Sequence, residues 1–82
     1  MIESEFISTR KEVSKAEAMQ QFNLNKDELN QNADSFMVYE GRWFIDIVND
    51  KDGKYSLTIG QEELRSDSIE TLEVKLYHYV TD

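Results

Sequence analysis

The sequence predicts a mixed α+β domain, with two short N-terminal helices packed on a small antiparallel sheet of three to four strands. Three observations carry this expectation. Two capping boxes, Ser14 with Glu17 and Asn25 with Glu28, mark helix starts in the first half of the chain. Residues 43–48 alternate, with Trp43, Ile45 and Ile47 on one face and Phe44, Asp46 and Val48 on the other, which is the period of a strand. Between them and a second alternating run, Asn49-Asp50-Lys51-Asp52-Gly53 has the composition of a hairpin turn, because Asp-Gly supplies the positive φ such turns need.

In chain order, the first box leads into Ala16, Ala18, Met19 and Phe22, predicting a helix over about residues 15–22. Thr9 with Glu12 offers an earlier start near Arg10. Asn23-Leu24 leaves room only for a tight turn before a second helix over about 26–32, carrying Leu29 and Ala33. Residues 36–40 are apolar and β-prone, and Gly41 allows a turn before the strand at Trp43. Tyr55, Leu57 and Ile59 alternate as the return strand. The last segment fits two periods. Leu72, Val74, Leu76, His78 and Val80 alternate as a strand face, whereas Ile69, Leu72, Leu76, Tyr79 and Val80 form a helical stripe that Asp67 and Glu70 could cap. Its β-branched and aromatic content favours the strand.

The chain has 82 residues, which makes one domain with a modest core. It has no cysteine, which removes disulfides, thiolate nucleophiles and cysteine metal sites, and makes the cytoplasm the expected compartment. Residues 1–10 lack an apolar core flanked by positive charge, so no signal peptide is expected. The longest apolar run is three residues at 43–45, or 36–39 if tyrosine is counted, so no membrane span is expected.

Seventeen acids face nine bases, for a net charge of −8. Residues 1–35 hold seven acids and four bases and residues 36–82 hold ten and five, so the excess is spread over the chain. Such a field repels nucleic acid and anionic membrane and steers the domain toward basic partners. It also serves solubility, since small domains commonly carry a net charge of about 2 to 8 in magnitude.

Catalytic chemistry is poorly represented, and no enzyme is expected. The one histidine, His78, sits between two tyrosines with no serine and acid to complete a triad. Asp50 with Asp52 and Glu62 with Glu63 are acids on turns rather than carboxylates held across a cleft. A calcium loop with Gly53 at its sixth position would place Val48 first and Ile59 twelfth, and neither is a ligand. The three glycines, Gly41, Gly53 and Gly60, are too far apart for a phosphate loop. No cofactor and no metal are expected.

Val13-Ser14-Lys15-Ala16-Glu17-Ala18-Met19, continuing through Phe22-Asn23-Leu24-Asn25 and Leu29, resembles the helix-turn-helix of excisionase-like and MerR-like DNA-binding domains. Val38, Gly41-Arg42-Trp43 and Ile45 look similar to the wing that follows it. The resemblance covers about residues 13–47 and implies a winged-helix-like fold in which Lys26, Asn30, Gln31 and Arg42 would contact DNA. The chain departs from that pattern. Asn23 stands for the turn glycine, Lys15 and Gln21 occupy apolar positions, and the segment from Leu29 to Gly41 is short by about four residues. The would-be recognition helix carries Asp27 and Glu28 where phosphate-neutralising bases belong.

These observations predict a small, acidic, non-enzymatic protein-binding module. An inhibitor or regulator from a phage or mobile element, engaging a basic, nucleic-acid-binding protein, would fit them. Its expected contact residues are Glu62, Glu63, Asp67 and Glu70 as a negative rim, with Tyr77 and Tyr79 as aromatic anchors. A winged helix-turn-helix DNA-binding regulator is the alternative. A free sheet edge would also offer a route to a homodimer.

Overall fold

A computed structural model describes residues 2–24 and 29–81. Its elements are α1 (Glu3–Ser8), β1 (Lys11–Ser14), α2 (Lys15–Gln21), β2 (Ser35–Tyr39), β3 (Trp43–Asp50), β4 (Gly53–Ile59), β5 (Glu62–Ser66) and α3 (Ile69–Thr81). The strands form one antiparallel sheet in the order β1-β2-β3-β4-β5. The expected layout is therefore corrected. The sheet has five strands rather than three to four, and a 13-residue helix closes the chain where a strand was expected. Residues 29–32 form turns and bends, not a helix, and the box at Asn25 and Glu28 lies outside the described residues.

Both faces of the sheet are covered, which explains the two-sided pattern of the strands. On one face Phe6 of α1 and Ile69, Leu72 and Leu76 of α3 pack on Tyr39, Ile45 and Leu57. On the other, Ala18 of α2 with Leu29 and Ala33 packs on Val13, Phe36, Val38 and Val48. This second layer contacts β1 and β2 and stops near β3. Beyond it the same face becomes polar, with Asp46, Ser56 and Arg65 in register across β3, β4 and β5.

Local chemistry sets the element ends. The Ser14 hydroxyl accepts from the Glu17 amide at 3.2 Å, and the Glu17 carboxylate accepts from the Ser14 amide at 3.4 Å, so the first capping box forms. Asn23 takes a left-handed φ of 54°, and the Leu24 amide donates to the Met19 carbonyl at 2.9 Å, closing α2. The β3–β4 hairpin turns at Lys51 and Asp52. At Gly53 φ is +149°, and a Cβ would meet the Ser66 amide nitrogen at 2.9 Å, so only glycine lets β5 approach there.

α3 is fastened by a buried charge. Glu73 is 1% exposed, and its Oε2 accepts from the Tyr39 hydroxyl at 2.6 Å and from Arg10 Nη1 at 3.0 Å. Burial, and then the bond to Glu73, push the Tyr39 hydroxyl's pKa well above its ordinary value. Phe6 stacks on Tyr39 with ring centroids 5.3 Å apart, so α1 covers the network. No helix of the described residues is long and apolar enough to cross a membrane.

Candidate functional site

β3 stays paired with β2 as far as Trp43, and β4 stays paired with β5 as far as Ile59. The ladder between β3 and β4 is shorter. It joins Asp50 to Gly53, Ile47 to Tyr55 and Asp46 to Ser56, and ends there. A one-residue shift between Ile47 and Asp50, where Asn49 has a φ of 51°, adds a bulge at the hairpin end. Residues 43–45 and 57–59 lie beyond the last of these pairs, with Ile45 and Leu57 buried in the same core cluster.

A cleft of about 570 Å³ lies at this end of the sheet. Arg42, Trp43 and Phe44 line one side and residues 57–60 the other. Successive strand residues point to opposite faces, so this lining places the cleft at the end of the sheet, reached from both faces. Leu76 and Tyr79 of α3, Glu63 of β5, and Asn30 and Asp46 complete it.

Aromatic rings form its walls. Trp43 meets Tyr79 edge to face, with centroids 6.1 Å apart and planes at 87°. Arg42 lies over the Trp43 ring at 5.7 Å. Phe44 is held by Phe22 at 5.2 Å and Phe36 at 5.5 Å, which ties the cleft to the α2 side of the core. Tyr79 is 51% exposed.

Asp46 supplies the charge. It is only 7% exposed, and its Oδ2 accepts from Asn30 Nδ2 at 3.2 Å. Burial raises its pKa, the Asn30 bond opposes that, and Glu63 and Arg65 act in opposite directions. Arg65 does not reach Asp46. It pairs with Asp50 at 3.1 Å and Glu63 at 3.3 Å, and donates to the Gly53 carbonyl at 3.4 Å. The neighbouring Ser56 hydroxyl and Arg65 Nε are buried without partners. Asp46 is therefore a desolvated carboxylate with one neutral donor, lining the cleft from the face opposite Trp43 and Tyr79.

The sequence-predicted contact residues do not share one surface. Glu62 and Glu63 point to opposite faces of β5, and Glu63 reaches the cleft. Asp67 accepts from the Lys54 amide at 3.1 Å, and Glu70 accepts from the Ser68 hydroxyl at 3.0 Å, so both have local structural partners. The strand reading placed Tyr77 and Tyr79 on one face with Glu73 and Lys75. On the helix, Glu73 is buried, Tyr77 packs on Phe6 at 5.8 Å, and Tyr79 turns to Trp43. Of the residues expected to contact DNA, Asn30 and Arg42 line the cleft. Gln31 is exposed with its carbonyl accepting from Lys15 Nζ at 3.4 Å, and Lys26 lies outside the described residues. Among the described residues no group of three or more histidines, aspartates or glutamates is placed to hold a metal ion.

The sequence reading did not single out Asp46, and Trp43, read there as a core side chain, does pack against the core on the α3 face. The signal was present, because Asp46 is an acid within a strand whose two faces are otherwise apolar from Trp43 to Val48. Comparison with protein-family models, with curated proteins and with solved structures returns no match.

Proposed function

We propose that this chain is a cytoplasmic, non-enzymatic protein-binding module whose cleft takes a basic segment of a partner protein. The observation that carries the reading is Asp46, a buried carboxylate with a single amide partner, which lines the same cleft as Trp43 and Tyr79 from the opposite face of the sheet. An ionised group out of water is costly unless a counter-charge pairs with it. A cationic side chain entering the cleft supplies that charge, and the rings supply apolar and cation–π contact. Glu63 at the cleft and the net charge of −8 favour the same sign of partner.

The two carboxylates are already engaged, Asp46 by Asn30 and Glu63 by Arg65, which suits recognition of charge better than proton transfer. His78 is exposed on α3 and packs against Tyr77 at 5.6 Å. An acidic module of this kind suits an inhibitor that occupies the basic surface of a nucleic-acid-binding protein, as a phage or mobile element would use. The DNA-binding alternative gains no specific support, since Asn30 is spent on Asp46 and Arg42 on the Trp43 ring.

Trp43 is the sole tryptophan, so its fluorescence reports on the cleft. A titration with a capped pentapeptide of alternating glycine and arginine is expected to give a saturable change. That change should weaken with salt and be lost in Asp46→Asn/Glu63→Gln. No saturable change, or the same change in the double variant, would contradict the reading.

A further inference from the structure

We infer that Arg65 is an internal competitor of the partner: it holds Glu63, leaves Asp46 as the acid that takes the entering cation, and so limits this wall of the cleft to one basic side chain. The inference rests on the reading of the cleft given above and concerns only the sheet face opposite α3. Register fixes the placement. Asp46 pairs with Ser56, Ser56 with Arg65, and Thr58 with Glu63, so these five residues lie on that one face. Asp46 and Glu63 line the cleft there. Arg65 stands two strands from Asp46, roughly 10 Å away at a strand spacing of about 4.8 Å.

The two acids differ in what holds them. Asp46 Oδ2 accepts from the neutral Asn30 amide at 3.2 Å, which leaves its charge uncancelled. Glu63 Oε1 pairs with Arg65 Nη1 at 3.3 Å. That guanidinium is itself clamped, because Nη2 pairs with Asp50 at 3.1 Å and donates to the Gly53 carbonyl at 3.4 Å. The ion pairs of the described residues include Glu63 and not Asp46. A partner's cation at Glu63 must therefore displace a guanidinium already ordered by three contacts, and it loses its own freedom to do so. At Asp46 it gains a desolvated charge with no such exchange.

The test is a double-mutant cycle read by Trp43 fluorescence with the capped glycine–arginine pentapeptide at physiological salt. Arg65→Met is expected to tighten binding about two- to fivefold, the equivalent of one part-exposed ion pair, because a second arginine of the peptide can then take Glu63. In a Glu63→Gln background the same substitution should give no gain, whereas a gain from the general field would persist there. Asp46→Asn should also weaken binding more than Glu63→Gln does, a comparison that holds even if Arg65→Met does not fold. No gain in Arg65→Met, an equal gain in the Glu63→Gln background, or a loss in Glu63→Gln as large as in Asp46→Asn overturns the competition and leaves the reading of the cleft standing. No saturable binding by the wild type or by Arg65→Met overturns both.

Discussion

Two buried carboxylates have opposite roles. Glu73 is satisfied by Tyr39 and Arg10 and joins α3 to β2 and to the segment after α1. Tyr39→Phe removes a hydrogen bond to a charged group and is expected to lower stability by about 1.5–3 kcal/mol in urea unfolding. Arg10→Met is expected to cost less, because the Arg10 side chain is 43% exposed and water can replace part of its contact. In a Glu73→Gln background, Arg10→Met should be close to neutral, which distinguishes charge pairing from packing. Asp46 lacks such compensation. Its pKa is raised mainly by burial, so the native state binds a proton more readily than the unfolded state does. Stability from this group therefore falls as pH rises through its native pKa and is regained on acidification. Asp46→Asn is expected to be more stable than the wild type at pH 7, with the gain shrinking as the pH falls toward the ordinary carboxylate range. Urea unfolding at several pH values measures the difference. A gain that grows on acidification would contradict the desolvation account.

At the scale of elements, turns and caps were legible because their chemistry is local. Ser14→Ala removes one half of the capping box on α2 and is expected to cost about 1 kcal/mol by thermal or urea unfolding. Gly53→Ala should cost about 1–3 kcal/mol, because the new Cβ meets the backbone of β5 and has no flexible neighbour to push aside. The elements that sequence reasoning missed bury few apolar side chains. β1 buries Val13 alone, α1 buries Phe6 alone, and β5 offers only Leu64 among charged and polar residues. The two strands are the sheet's edges, where charge opposes strand pairing between copies and hides the period. α3 was misread for a different reason. Its helical stripe of Ile69, Leu72 and Leu76 was visible, but the β-branched and aromatic side chains of Val74, Tyr77, Tyr79 and Val80 favoured a strand, and the buried stripe also includes Glu73. Only the distant Tyr39 and Arg10 make that acid a core residue, and no local rule names them. The cleft was equally hidden, since its lining comes from residues distant in the chain and its place at the end of the sheet is a tertiary fact.

For the whole molecule, the excess of acids is distributed, but one acid is held where a charge is expensive. Solvated acids such as Glu5, Glu12 and Glu17 raise the field around the domain without choosing a partner. On the proposed function, Asp46 is the acid that selects a cationic partner, because it is buried and lines the cleft. The two kinds of acid separate by salt. Attraction by the general field should fade as ionic strength rises, and the contribution of the cleft should persist further. The measurement that tests this most directly is a chemical-shift map of the backbone amides and the Trp43 indole during titration with the capped glycine–arginine pentapeptide at physiological salt. The account predicts saturable shifts gathered at Trp43, Asp46, Thr58, Gly60 and Tyr79, with α1 and β1 silent, and their loss in Asp46→Asn/Glu63→Gln. Shifts spread evenly over the acidic surface, or none at the cleft residues, would contradict it.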